Sequence, residues 1–192
     1  MTEIIERPSA TGIVPQSEGR SSVAEVTRHV ITVQEVMRSV MKPNVHYGTI
    51  PGAGDKPTLL KPGAEVLCMT FRIADDYVVE DLSGPGFVRY RVKCTGRHQA
   101  TGLPLGSGMG EASTDEEKYK WRKSVCTQEW EDTPKDLRRI KYGRKSGGHY
   151  TVEQIRTEPA DLANTVLKMA CKRAKIAMVL NVTAASDMFS QD

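Results

Sequence analysis

Basic side chains recur at every second position along a stretch near the middle of the chain. Residues 87–98 read FVRYRVKCTGRH, in which apolar or small side chains alternate with cations, as in a strand with one face toward a core. The cations of this predicted strand are Arg89, Arg91, Lys93 and Arg97. Such a row can neutralise the phosphates of a polyanion. It therefore predicts a phosphate-binding surface, unless the row faces a neighbouring subunit.

A second set of cations lies at helical spacing near the C-terminus. Apolar residues at helical intervals predict a helix over residues 159–181. The cations on its outer face are Lys168, Lys172, Arg173 and Lys175. Like charges three or four residues apart destabilise an isolated helix by about 0.2–0.5 kcal/mol per pair, and a polyanion along this face would relieve that repulsion. The alternative is a solvated lysine face.

The segment from Asn44 to Pro62 is rich in Gly, Pro and Lys and invites comparison with a phosphate-binding loop. The Walker motif requires Gly-Lys-Ser/Thr in succession, whereas residues 54–58 read GDKPT and interrupt it with an acid and a proline. The sequence therefore argues against an ATP site. The segment is either a structured connection or a wall of a binding groove supplied by Lys56 and Lys61.

Acidic residues cluster around a strand predicted at residues 77–80. These acids include Asp75, Asp76 and Glu80, and Glu116 follows the next predicted hairpin. A metal-dependent nuclease uses carboxylates of this kind, which makes such an enzyme the competing hypothesis. Acids at strand ends are more often simply solvated. The leading interpretation therefore assigns no catalytic residue, no metal and no cofactor.

The segment 115–158 has a composition unlike the rest of the chain. It contains both tryptophans and three tyrosines, interleaved with the basic residues that concentrate between Lys118 and Lys145. Cations beside aromatic rings are the combination that single-strand binders use, because phosphates are neutralised while bases stack. The alternative is an exposed, partly disordered excursion whose aromatic side chains seal it to the body of the protein.

Composition bounds the remaining possibilities. The chain has 192 residues, 39% of them hydrophobic, with a net charge of only +3. This predicts one domain over residues 21–192, carrying the charged insertion at about 115–158, behind a mobile N-terminal arm at 1–20. The four cysteines form no CxxC pair, so neither a zinc ribbon nor a disulfide framework is indicated. Without a membrane-spanning or signal segment, a cytoplasmic protein is expected.

Other patterns predict the elements that position the cations. Ser22 and Glu25 form a capping box ahead of an amphipathic helix that ends at Pro43, and its apolar stripe packs either on its own sheet, the favoured reading, or on a neighbouring subunit. Residues 63–73 predict a short helix before the strand at 77–80.

A hairpin follows that strand. Residues 105–114 return after a Gly- and Pro-containing turn, with glycine at every second position from Gly106 to Gly110. A strand without side chains on one face lets something large approach its backbone. The predicted class is thus α+β, with an antiparallel sheet in β-β-β-α order packed on helices.

Three stretches in this order resemble the single-strand annealing proteins of the Rad-fifty-two type, especially their phage and mobile-element relatives. The stretches are LLKPGAEVLCMTFRI at 59–73, VRYRVKCTGRHQATGLPLGSGMGEAST at 88–114 and DLANTVLKMACKRAKIAMVLNVTAASDMF at 161–189. The resemblance is more specific in the first and third stretches than in the hairpin. It spans residues 44–189, interrupted by the charged segment.

The resemblance implies ATP-independent binding and annealing of single-stranded DNA in recombination and repair, by a homo-oligomeric ring or arc whose subunits join their sheets. It implies a basic groove between hairpin and helix, in which Lys172 and Arg173 contact the DNA backbone. Phage relatives often carry a cysteine-rich insertion, but Cys126 is alone here, so no structural zinc is expected.

The location expected is the cytoplasm or nucleoid of a bacterial host, with a phage exonuclease and a host single-strand-binding protein as candidate partners. A further alternative is an accessory module that binds single strands without annealing them. The DNA-binding residues predicted overall are Arg89, Arg91, Lys93, Arg97, Lys168, Lys172, Arg173, Lys175, Lys56 and Lys61.

Overall fold

The chain folds as an α+β protein with antiparallel sheets, which confirms the predicted class. The computed structural model describes residues 21–50 and 56–190, so the predicted arm at 1–20 lies outside the described residues. The helices are α1 (Val23–Ser39), α2 (Lys61–Thr70), α3 (Glu117–Lys120), α4 (Thr127–Asp132) and α5 (Pro159–Thr183). The strands are β1 (Tyr47–Gly48), β2 (Thr58–Leu59), β3 (Ile73–Asp81), β4 (Arg89–His98), β5 (Pro104–Ser113), β6 (Trp121–Lys123), β7 (Arg138–Lys145) and β8 (Gly148–Arg156).

The strands β3, β4 and β5 form the main sheet in that order, and α5 lies across one of its faces. The helix approaches β5 closely because glycine occupies the facing positions of that strand. A Cβ atom on Gly108 would lie 2.1 Å from the backbone nitrogen of Met178, and one on Gly110 would lie 2.3 Å from that of Ala174. The large group that the glycine row admits is therefore the protein's own long helix.

The helix α1 packs on its own subunit. Ser22 and Glu25 cap it reciprocally, as predicted, and Val33 is buried in the same core as α2, β4 and α5. His29 stacks on Phe71 at the end of α2, with 4.5 Å between ring centres. The apolar stripe is thus buried within its own chain at Val33, whereas Val26 and Val40 toward its two ends are half exposed.

The residues after α5, for which the sequence indicates no clear element, return to the core. A short 3₁₀ helix at Ala185–Asp187 leads to Phe189, which is only 1% exposed. The backbone of Ser190 then bonds to Pro57 and Leu59 ahead of α2, at 3.0 and 3.1 Å. This segment fixes the start of α2, and with it the position of Lys61.

The charged segment 115–158 folds as regular structure. Its strands form a second antiparallel sheet in the order β6-β8-β7. Arg139 stacks over the ring of Trp121, and Arg138 over that of Trp130, at 4.5 and 4.2 Å from the ring centres. Each tryptophan ring is therefore covered by an arginine of β7. Across the described part of the chain, no helix is long and apolar enough to cross a lipid bilayer.

Candidate nucleic-acid interface

The predicted alternation along β4 is present. Val92 and Cys94 are fully buried, whereas Arg91 and Lys93, which alternate with them, are exposed. A Cβ atom on Gly96 would lie 2.6 Å from the sulfur of Met178, so the buried side of β4 is the side that α5 covers. The basic row thus occupies the other side of the main sheet, called here the open face.

Acids from the two neighbouring strands accompany the basic row on the open face. Arg91 lies 3.5 Å from a carboxylate oxygen of Glu80 on β3 and 3.0 Å from one of Glu111 on β5. Arg89 also contacts Glu111, and the Arg97 guanidinium lies 3.9 Å from a carboxylate oxygen of Asp76. Exposed pairs of this kind contribute only about 0–1 kcal/mol each to stability. They nevertheless compensate most of the charge that the sequence pattern suggests.

Lys93 is the exception in this row. It forms no salt bridge with any residue that the structure describes. Its cross-strand neighbours are Val78 and Met109, whose side chains are 64% and 51% exposed. The centre of the open face is therefore mixed in character, with one cation between two apolar side chains.

The expectation that the β4 row and the α5 lysines line one groove is wrong for a single chain. The row lies on the open face, and α5 lies on the opposite face of the same sheet. The physical reason is that the glycines of β5 leave room for the backbone of α5 on that side of the sheet. Convergence of the two surfaces would require a second copy of the protein.

A separate groove runs between α5, the start of α2 and the part of β3 that α5 leaves uncovered. It encloses about 670 Å³. Its cationic lining consists of Lys61, Lys168, Lys172 and Lys175, and its apolar and aromatic lining includes Tyr77, Leu167 and Met169. This surface is called the α5 groove below. It brings together cations and an aromatic ring, which is the chemistry of a single-strand site.

The lysines of the α5 groove differ in how their charge is compensated. Lys61 pairs with Glu65 in the next turn of α2, and Lys175 pairs with Asp75. Lys168 and Lys172 form no salt bridge within residues 21–50 and 56–190. Lys168 is exposed and Lys172 half-buried. These two lysines are the uncompensated cations of the groove.

A buried ion pair forms the base of the α5 groove. Lys175 is only 8% exposed, and its ammonium lies 3.1 Å from a carboxylate oxygen of Asp75. The hydroxyl of Tyr77 donates to the same oxygen at 2.5 Å. Burial alone would raise the pKa of Asp75, but these two hydrogen bonds lower the pKa below its ordinary value. Burial, reinforced by the bond to Asp75, raises the pKa of Tyr77.

Arg173 points away from the α5 groove. Its guanidinium contacts both carboxylate oxygens of Glu116, at 2.7 and 2.9 Å, and donates to the backbone carbonyl of Glu111. Burial would raise the pKa of Glu116, but the bonds from Arg173 lower it. The adjacent residues Lys172 and Arg173 therefore have different surroundings. The structure places the first in the groove and the second in a bridge between α5, β5 and the start of the charged segment.

Lys56, the remaining predicted contact, lies outside the α5 groove. Its ammonium donates to the backbone carbonyl of Ser186 at 3.2 Å, in the segment that follows α5. The sequence groups it with Lys61 as one wall of a binding groove. Lys61 alone of the two lines the groove.

The four acids of the nuclease hypothesis do not share one site. Asp75 faces Lys175 on the helix-covered side of β3, while Asp76 and Glu80 lie on the open face with Arg97 and Arg91. Glu116 bonds to Arg173. Among the described residues, no group of three or more His, Cys, Asp or Glu side chains is placed to hold a metal ion.

Sequence reasoning missed the apolar lining of the α5 groove. Met169 belongs to the predicted core-facing stripe of the helix, Leu167 has no predicted role, and Tyr77 belongs to a predicted short strand. Leu167 and Met169 do pack against the core, but because α5 covers β4 and β5 more than β3, they and Tyr77 also border an open channel. The alternation of Asp75 and Tyr77 was the available signal, because it places both on one face of β3. Comparisons with protein-family models, with curated proteins and with solved structures gave no significant match.

Proposed function

We propose that this protein binds single-stranded DNA in the α5 groove and anneals complementary strands without ATP. The observation that carries the proposal is that two uncompensated lysines, Lys168 and Lys172, line the same groove as apolar and aromatic side chains that include Tyr77. The resemblance of residues 59–73 and 161–189 to annealing proteins supports the same function. Lys61 and Lys175 complete the cationic lining of the groove.

The chemistry of annealing requires no bond to be made or broken by the protein. Lysines neutralise phosphates regardless of sequence, which supplies affinity. An apolar floor receives bases or sugars without reading their hydrogen-bonding edges. Selectivity then comes from pairing between the two strands. A groove that is open along one side leaves the bound bases accessible to a complement.

We also propose that copies of the chain assemble through the edges of the main sheet into a ring or arc. Both β3 and β5 are edge strands of this sheet, and unpaired edges are templates for strand addition. Val78 and Val79 of β3 are 64% and 47% exposed, so this edge strand also presents two apolar side chains between its acids. Pairing one edge with the other edge of a neighbour is head-to-tail, and such contacts generate rings or open arcs. The basic row of the open face, on the central strand β4, then lies one strand away from each subunit boundary.

An annealing assay tests the proposal. Two complementary oligonucleotides, one carrying a fluorophore and one a quencher, are mixed without ATP, and the rate of quenching is measured with and without protein. The expected result is that the wild-type protein accelerates pairing and that Lys168→Gln with Lys172→Gln reduces the acceleration. Binding without acceleration would indicate an accessory module. Magnesium-dependent shortening of the oligonucleotides would indicate a nuclease.

A further inference from the structure

The β7–β8 hairpin projects a cationic tip that the α5 groove does not use. Between residues 138 and 156 the sole acid is Glu153, against basic residues along all of β7. Arg138 and Arg139 are engaged by Trp130 and by Trp121 with Glu117. Farther out, Lys141, Arg144 and Lys145 form no salt bridge in the described chain. No carboxylate lies within ion-pair distance of these outer charges in the described chain, although Lys141 contributes to lowering the pKa of Glu117.

The two faces of this hairpin differ in how they hold an aromatic ring. Gly143 stands directly opposite Tyr150 in the β7–β8 ladder. A Cβ atom on Gly143 would lie 2.3 Å from the ring carbon Cζ of Tyr150, so the ring lies flat across the glycine. The ring is 46% exposed, so its outer side faces solvent. On the opposite face, Tyr142 is 77% exposed.

Lys141 and Lys145 share a face with the seated ring of Tyr150. Strand residues two apart lie on the same face, and each lysine is two residues, about 7 Å, from Gly143 along β7. A tyrosine whose orientation is fixed, with a cation on either side, is a platform for one unpaired base and its flanking phosphates. Bases already paired in a duplex are stacked on one another and cannot lie on such a ring.

We propose that Lys141, Tyr150 and Lys145 form a second site for single-stranded nucleic acid, separate from the α5 groove. This inference rests on the proposed function, since it assigns a second contact to the same class of ligand. Gly143 is the positioning residue of the site because it seats the ring. The site holds an additional stretch of unpaired strand on the second sheet.

Fluorescence anisotropy with two labelled probes tests the site: a thymidine 20-mer and an abasic 20-mer with the same phosphates. The wild-type protein is measured first, and the variants below are then compared in a background that carries Lys168→Gln and Lys172→Gln, so that the groove contributes less. Tyr150→Leu is expected to weaken binding of the thymidine probe about tenfold and to leave the abasic probe unchanged. Gly143→Ala should act like Tyr150→Leu, whereas Lys141→Gln with Lys145→Gln should weaken both probes. Tyr142→Leu, on the opposite face, is the matched control and should change neither.

The outcomes separate the two proposals. If the wild-type protein binds neither probe, the proposed function and this site both fail. If the wild-type protein binds the thymidine probe but Tyr150→Leu and Tyr142→Leu behave alike, the second site alone is overturned. An equal loss of both probes on Tyr150→Leu would overturn the site, because the ring would then not act on bases. Competition by a duplex 20-mer as strong as that by the single strand would likewise contradict the site.

Discussion

The open face of the main sheet and the α5 groove are both basic in sequence, yet they differ in available charge. On the open face, strands β3 and β5 bring Glu80, Glu111 and Asp76 beside the arginines. In the groove, Lys168 and Lys172 meet apolar and aromatic side chains instead. A cationic row therefore presents available charge only where its cross-strand or cross-helix neighbours leave it uncompensated. This difference is invisible in the composition of either segment.

The two surfaces lie on opposite faces of the main sheet because α5 packs on the glycines of β5. Of the substitutions proposed, Gly108→Ala should disrupt this packing most. The added Cβ would meet helix backbone at 2.1 Å, which a side-chain rotation cannot relieve. We expect a loss of about 3 kcal/mol in the free energy of unfolding, measured by urea denaturation. Gly106→Ala is the control, because its Cβ would meet only a methyl group of Val182, at 2.8 Å. Equal losses at both positions would show that α5 is not held by backbone contact.

The ion pair at the base of the groove should show the next largest effect. Asp75→Asn leaves the buried ammonium of Lys175 without its counter-charge, for which we expect a loss of about 2 kcal/mol at neutral pH. Adding Lys175→Met should recover part of that loss, since no buried charge then remains. A double variant less stable than Asp75→Asn alone would contradict the assignment.

The same pair predicts a direction of pH dependence. The folded-state pKa of Asp75 is lowered, so the unfolded chain takes up its proton at a higher pH than the folded chain does. The stabilisation is complete well above pH 3.8, the ordinary value, and disappears as the pH falls through the lowered pKa. Asp75→Asn should flatten the acid side of the stability profile, and Glu116 should account for part of what remains. If Asp75→Asn has the same dependence of stability on pH as the wild-type protein, protonation of Asp75 does not contribute to acid denaturation.

A substitution of Arg173 tests whether this cation acts in the fold or in DNA binding. Its effect on stability should be smaller than the two effects above. Arg173→Gln removes the two contacts with Glu116 and should cost about 1.5 kcal/mol of unfolding free energy. Its effect on oligonucleotide affinity should be smaller than that of Lys172→Gln, the neighbouring residue. Equal losses of affinity would favour the paired contact that the family resemblance implies.

Local patterns in the sequence predict most elements of the main sheet and its helix. Hydrophobic periodicity places α1, β4 and α5 within a few residues of their observed bounds, because each has one face toward the core. The capping box at Ser22 and the glycine row of β5 are likewise local signals. These local patterns do not predict on which side of the main sheet α5 lies.

The parts that could not be predicted depend on contacts between distant segments. Glu111 neutralises Arg91 only because β5 pairs with β4 in one register, and Glu116 reaches Arg173 from 57 residues away. The second sheet was missed because the tryptophans of this segment are covered by arginines and not by apolar residues, which leaves no hydrophobic periodicity to detect. Phe189 was missed because a single aromatic residue in a polar tail has no periodicity.

The measurement that tests the central claim most directly is a salt titration of single-strand binding by two variants of equal charge change. One carries Lys168→Gln and Lys172→Gln in the α5 groove, and the other carries Arg91→Gln and Arg97→Gln on the open face. Each phosphate contact contributes about 0.7 to the slope of log affinity against log salt for a single strand. We predict that the groove variant loses about 1.4 from this slope while the open-face variant keeps the wild-type value. A slope reduced by the open-face variant and unchanged by the groove variant would contradict the account.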